Sequence, residues 1–209
     1  MDANIKRKKV GILGGSFNPI TKAHIQIARH VFDNSAIQEI WLMPVYNHLQ
    51  KSGLESYTHR FNMCKIAAEP FSEFITVSNF EAEHELSGSV FELMEKLRET
   101  HKDTEFYYII GMDQANNFHT WKNWELLKDT TKFIVFPRQG IEEDLLKADW
   151  YTKAPHLYSP PLIGYPIMDI SSTKIREMLK EIDTDYAKLE KVLDGHVLNY
   201  ICYEELYEG

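Results

Sequence analysis

The chain has 209 residues, 44% of them hydrophobic and 26% charged, the length and composition of one ordinary globular domain. Its formal net charge of −8 means that the surface as a whole does not invite a nucleic-acid polymer, so an anionic substrate needs a local positive pocket. No apolar run is long enough to span a membrane, no signal-peptide pattern opens the chain, and Cys64 and Cys202 form no ligand spacing, so they are expected as reduced thiols of a cytoplasmic protein.

Met1 to Lys9 is polar and basic. Lys6-Arg7-Lys8-Lys9 reads as a solvated arm, with a nuclear address as its alternative. Val10-Gly11-Ile12-Leu13 then reads as a short central strand. It runs into Gly14-Gly15-Ser16-Phe17-Asn18-Pro19-Ile20-Thr21-Lys22-Ala23-His24, and a helix leaves with Ile20, Ala23, Ile27, Val31 and Phe32 at helical spacing. Such a strand, glycine loop and helix present unpaired N–H groups and a positive helix end to one point, which suits a phosphate. Gly14 and Gly15 let that phosphate approach the backbone. Thr21 and His24 are three apart, on one helix face, and can reach one anion together. The loop lacks the Gly-Lys-Ser/Thr of a P-loop and the G-x-G-x-x-G of the dinucleotide fingerprint. A β-turn before a helix with one semi-buried His is the plainer alternative.

Ile37 to Pro44 reads as a second strand stopped by proline. A polar loop from Val45 to Tyr57 follows, then a helix from a Thr58 cap through Ala68. Phe74 to Ser78 is a third strand and Glu81 to Glu85 an acidic loop. Ser87 or Ser89 opens a helix through Arg98. Phe106 to Gly111 is a fourth strand, rich in aromatic and β-branched residues. Trp121 lies in a loop or short helix before Trp124-Glu125-Leu126-Leu127. Lys132 to Phe136 is a fifth strand and His156 to Tyr158 a short sixth. From Ser171 onward only helices are expected, with Ile175, Met178 and Leu179 in one stripe and Leu189, Val192, Leu193, Val197 and Ile201 in others, broken at Gly195.

This alternation implies an α/β fold, a Rossmann-like doubly wound and mostly parallel sheet over residues 1–168, with a C-terminal helical subdomain over 169–209. Ligands of such sheets bind beyond the strands' carboxyl ends at the switch in strand order. Gly15, Gly111 and Pro137-Arg138 all follow strand ends and belong at that rim.

Asp169-Ile170-Ser171-Ser172-Thr173-Lys174-Ile175-Arg176 is a second anion signal. Hydroxyls at a helix start and an arginine one turn in can converge on one anion. A Ser cap with a surface Arg is the competing account.

Gly-Ser-Phe-Asn-Pro-Ile-Thr-x-x-His, with Ile-Ser-Ser-Thr-Lys-Ile-Arg about 150 residues later, resembles the nicotinamide/nicotinate mononucleotide adenylyltransferases of the nucleotidyltransferase superfamily. The resemblance covers nearly the whole chain and implies transfer of an adenylyl group from ATP to a pyridine mononucleotide, with release of pyrophosphate. It implies that Thr21, His24 and Arg176 are catalytic. Gly14, Gly15, Ser16, Phe17, Lys51, Gly111, Asp113, Ser172 and Thr173 would join His24 and Arg176 in holding ATP, with Asp113 on ribose hydroxyls. Gly15, Ser16, Ser89, Trp121 and Arg138 would hold the mononucleotide, with Trp121 stacked on the pyridine ring. Mg²⁺ would arrive on ATP, with no dedicated protein ligand set. Lys51-Ser52-Gly53-Leu54 and His59-Arg60 are similar to further family elements. Thr21, Ala23 and Gln50 depart from the bacterial form, whereas the Asp113 to Trp121 spacing is similar to it, so nicotinate and nicotinamide remain alternatives. Trp124 reads as a core residue. Another adenylyl- or cytidylyltransferase, such as a pantetheine-phosphate adenylyltransferase, and a non-catalytic nucleotide-binding regulator are the rival functions. The sequence does not give the oligomeric state.

Overall fold

A computed structural model of the chain describes residues 7–47, 53–137, 150–159, 171–181 and 183–207. Among the described residues six strands, β1 (Lys8–Gly15), β2 (Glu39–Pro44), β3 (Ile75–Val77), β4 (Thr104–Gly111), β5 (Lys132–Phe136) and β6 (Leu157–Tyr158), form one sheet in the order β3-β2-β1-β4-β5-β6. Every neighbouring pair is parallel. Chain order runs outward from β1 to β3, then jumps back beside β1, so the switch lies between β1 and β4. Gly15 stands opposite Pro44 and Gly111 opposite Phe136, so four strands end at a common rim.

Both faces of the sheet are buried, which is why its strands are apolar almost throughout. Phe106, Tyr108 and Ile110 of β4 enter one core cluster, and Tyr107 and Ile109 enter the other, with the period of two that a strand imposes. The second cluster is shared with α1 (Lys22–Asn34), α2 (Tyr57–Ala68) and three late helices, α7 (Ser172–Leu179), α8 (Tyr186–Val192) and α9 (Gly195–Tyr203). The first is covered by α3 (Phe80–Glu83), α4 (Val90–Thr100), α5 (Met112–Asn116) and α6 (Trp124–Thr130).

Several local expectations are corrected. β1 runs further at both ends than its apolar stretch, because Lys8 and Lys9 pair with Thr104 and Glu105. The cap of α2 is Ser56 rather than Thr58: its backbone is not helical and its Oγ accepts the His59 N–H at 3.2 Å. The acidic stretch from Glu81 begins inside α3, where Phe80 anchors the turn in the core and Glu81 is itself buried. Gly195 is the first residue of α9, whose cap is Asp194, so the break lies one residue earlier. Cys64 is buried, Cys202 exposed, and both are free thiols. No helix among the described residues is long and apolar enough to cross a membrane.

Candidate functional site

β1 ends in two glycines with different demands. A Cβ on Gly14 would lie 2.2 Å from the Tyr108 hydroxyl oxygen, so only glycine fits beneath that buried phenol. A Cβ on Gly15 would meet the Phe17 ring at 3.1 Å. Phe17 turns the chain with φ +44, a conformation uphill for any residue with a side chain. Its buried ring stands edge-on to the His24 imidazole, with centroids 5.1 Å apart.

Thr21 is the extended cap residue of α1, and His24 lies three residues on. The Thr21 N–H donates to His24 Nδ1 at 3.0 Å, and the Thr21 hydroxyl oxygen is 2.8 Å from the same nitrogen. A backbone N–H can only donate, so Nδ1 carries the lone pair and Nε2 the proton. The expected pairing is present, and Thr21 fixes the tautomer of the imidazole.

α7 docks directly on this loop. Its cap, Ser171, accepts the Lys174 N–H at 3.3 Å. The Ser172 hydroxyl donates to the Pro19 carbonyl at 2.9 Å, and Arg176 Nη1 donates to the Asn18 carbonyl at 2.7 Å. Arg176 Nη2 also reaches the Thr173 hydroxyl at 3.3 Å. The two motifs are thus joined by side-chain bonds to loop carbonyls. Sequence reasoning aims all three groups at an anion; the structure gives each of them a protein partner as well.

The loop is braced from two further sides. Arg60, buried at 2% exposure, donates through Nη1 to the Ser16 carbonyl at 2.9 Å and through Nε to the Glu55 carbonyl at 3.0 Å. Burial holds its pKa below the ordinary guanidinium value. Asn18, equally buried, accepts the Glu55 N–H at 3.1 Å and the Tyr207 hydroxyl at 2.9 Å on its Oδ1. Both partners are donors, which sets the orientation of the amide.

Across the switch, β4 ends at Gly111, which caps α5 and whose N–H donates to Gln114 Oε1 at 3.1 Å. Asp113 is therefore the second helical residue, not the cap, and it is half-buried. Its carboxylate lies so close that a Cβ on Gly111 would be 2.6 Å from Oδ1. Trp121 follows the 3-10 turn Phe118–Thr120. Its half-buried ring stands edge-on to Tyr108 (6.4 Å, 87°) and tilted against Phe118 (5.3 Å). Tyr108 therefore connects Trp121 to Gly14. Trp124, expected in the core, is also only half-buried, with Lys128 Nζ 5.8 Å from its ring centroid.

Ser89 is buried at the cap position of α4. Before it, Gly88 has φ +84, and a Cβ there would be 2.0 Å from the Asn47 carbonyl, so the turn leaving β2 lies against the turn entering α4. Glu81 sits beneath these turns, its carboxylate accepting the Tyr46 N–H at 2.9 Å. Burial drives its pKa up to about 7, against the pull of that N–H and of Arg60. Lys51, Gln50, Arg138, Asp169 and Ile170 lie outside the described residues.

Sequence reasoning does not find Arg60, Glu81, Tyr207 or the side chain of Asn18 as parts of the site. Arg60 carries a hint in the His59-Arg60 element. For the others no local signal exists, because their roles are made by long-range contacts.

A family model described as cytidylyltransferase-like matches residues 12–178. A "Probable nicotinate-nucleotide adenylyltransferase" of Streptococcus pneumoniae is 31% identical over 204 residues, 97% of this chain and 90% of the relative. A protein of the same name from Clostridium perfringens is 32% identical over 177 residues, 83% of this chain and 87% of the relative. Among solved structures, a Plasmodium falciparum nicotinic acid mononucleotide adenylyltransferase complexed with NaAD superimposes with a TM-score of 0.84 at 27% identity, covering 96% of this chain and 97% of that one. The same enzyme complexed with APC gives 0.81 at 26% identity, with the same coverage.

Proposed function

The chain belongs to the cytidylyltransferase-like family, and within it to the nicotinate-nucleotide adenylyltransferases, and on that footing we propose that it transfers the adenylyl group of ATP to nicotinate mononucleotide. The products are the dinucleotide and pyrophosphate. The observation that carries this assignment is the docking of the α7 start onto the glycine loop, which gathers His24, Thr21, Ser172, Thr173 and Arg176 around one rim.

A 5′-phosphate oxygen of the mononucleotide attacks the α-phosphorus of ATP in line, and the bond from that phosphorus to the β-phosphate's bridging oxygen breaks. Catalysis is positioning and charge stabilisation, with no covalent nucleophile. His24 donates its Nε2 proton, in a hydrogen bond, to an α-phosphate oxygen as negative charge grows there. The tautomer fixed by Thr21 keeps that proton in place without a net charge on the ring. Backbone N–H groups at Gly15 and Ser16 assist. Arg176 has N–H groups beyond the two bonded to Asn18 and Thr173, and these meet the β- and γ-phosphates, with Lys51 and the N–H groups at Ser172 and Thr173. Asp113 accepts ribose hydroxyls, Trp121 stacks on the pyridine ring, and Ser89 and Arg138 serve the mononucleotide. Mg²⁺ would enter with ATP, held by phosphate oxygens and water, and would neutralise phosphate charge.

The names of the relatives favour nicotinate over nicotinamide. The test is pyrophosphate release from ATP and Mg²⁺ with nicotinate mononucleotide, nicotinamide mononucleotide or phosphopantetheine as acceptor, and with CTP replacing ATP. Rapid release with nicotinate mononucleotide alone is expected. Preference for phosphopantetheine or CTP would move the chain to another branch of the family, and no release with any pair would leave a nucleotide-binding regulator.

A further inference from the structure

α9 ends at Tyr203, and the chain then reverses sharply. The Leu206 N–H donates to the Ile201 carbonyl at 3.0 Å and the Glu205 N–H to the Cys202 carbonyl at 3.3 Å, the paired bonds of a Schellman turn. Glycine ordinarily takes the left-handed position of that turn. Here it is Glu205, at φ +53, and Tyr207 follows at φ +67. Two left-handed residues with side chains in three positions are strained unless their surroundings over-determine them.

What over-determines them is the destination of Tyr207. Leu206 and the Tyr207 ring enter the core beside α2, and the Tyr207 hydroxyl donates to Asn18 Oδ1 at 2.9 Å, across 189 residues of chain. The same oxygen accepts the Glu55 N–H, and the Asn18 carbonyl accepts Arg176. Asn18 is therefore where the glycine loop, the segment entering α2, α7 and the turn after α9 meet. Tyr207 is buried, and its hydroxyl is hydrogen-bonded to Asn18, which is the route from it to the loop.

We propose that Tyr207 is a positioning residue for the transfer step: its hydroxyl, through Asn18, holds Gly15 to Pro19 in the shape that the transferred phosphate requires. The proposal rests on the function proposed above. A misplacement of donors by a fraction of an ångström weakens their bonds to the transition state more than it weakens ground-state binding. The signature is thus a lower kcat at nearly constant KM.

The test is Tyr207→Phe, which keeps the ring and removes only the hydroxyl, compared with Asn18→Ala, Asn18→Asp and the double variants. Three quantities are read: kcat with both KM values, the melting temperature, and amide hydrogen exchange of residues 14–25 without substrate. Tyr207→Phe should lower kcat by ~10-fold with each KM within about twofold, and should speed exchange in the loop. On an Asn18→Ala background it should add nothing to the kcat loss, because the acceptor is already gone. Asn18→Asp still offers an acceptor, so there the Tyr207→Phe loss should reappear; this pair decides the matter if Asn18→Ala does not fold. Unchanged kcat and loop exchange in Tyr207→Phe, or a kcat loss of the same size with and without the Asn18 acceptor, would overturn the proposal. If the wild-type protein releases no pyrophosphate with any acceptor, the function fails on its own, and the exchange measurement still decides whether Tyr207 orders the loop.

Discussion

Replacing Trp121 with alanine separates a stacking platform from a wall of the core. Its ring is half-buried and touches two aromatic neighbours, Tyr108 and Phe118. Truncating a fully buried Trp costs ~3–5 kcal/mol. Half of that, with ~0.5–1.5 kcal/mol for each aromatic pair counted within it rather than on top, gives roughly 1.5–2.5 kcal/mol of lost stability. For a chain of this length that is a fall of roughly 3–10 °C in Tm. Loss of stacking on the pyridine ring should separately weaken the mononucleotide by ~1–3 kcal/mol, roughly a tenfold to hundredfold rise in its KM. The KM for ATP should hardly move. Trp121→Phe keeps most of the contact with Phe118 and should recover most of the Tm but only part of the mononucleotide affinity. Steady-state kinetics with each substrate varied, beside thermal melting, reads both effects. A lower Tm with an unchanged mononucleotide KM would refute stacking and leave Trp121 as a packing residue.

Four further perturbations follow from the geometry. His24→Ala should lower kcat by ~10²–10³ in a folded protein, the usual loss for one transition-state donor; near-normal kcat would remove His24 from the mechanism. Arg176→Lys should raise the KM for ATP and also lower Tm, since the fork that binds Asn18 and Thr173 is lost with it; an unchanged KM for ATP would make Arg176 purely a brace. Gly14→Ala forces its Cβ against the Tyr108 hydroxyl and should cost ~1–3 kcal/mol, part of it recovered by Tyr108→Phe, since the nearest remaining ring carbon would still stand at a tight 3.0 Å; melting curves showing purely additive losses would contradict this contact. Glu81 has a folded pKa of about 7, above its unfolded value, so the native state binds the extra proton. Its ionisation therefore costs stability as pH rises from about 5 to 7, and Glu81→Gln should gain stability relative to wild type across that window. A pH-independent difference in Tm between the two would show that Glu81 does not titrate there.

The parts of the fold that read directly from sequence are those with one dominant period. β4 alternates Tyr, Phe and Ile between two cores, so its apolar run and its burial on both faces coincide. α3 is missed because four residues with only Phe80 and Ala82 apolar carry no helical period, and because Glu81 breaks the rule that carboxylates face water. The site divides in the same way. Thr21 and His24 meet through local helix geometry, which spacing alone foretells. Arg60 and Tyr207 reach the loop across long stretches of chain, Arg60 bonding Ser16 over 44 residues and Tyr207 bonding Asn18 over 189, and no spacing rule reaches them. The Ser172 hydroxyl shows the converse limit: its residue type is right for an anion, yet its described bond is to the Pro19 carbonyl.

The peptide unit between Ser16 and Phe17 has two orientations open to it. A half-turn of that plane would exchange the directions of its C=O and N–H and would carry Phe17 from its positive φ toward the relaxed, negative side. Arg60 prevents the half-turn by gripping the Ser16 oxygen from within the protein. Because the peptide is trans, the Phe17 N–H then points away from Arg60, and the backbone is held at the positive φ of Phe17. Arg60 thus acts as a detent: its removal is expected to let Phe17 relax and to change the donor pattern offered to a phosphate, although no residue facing the ligand would have been altered.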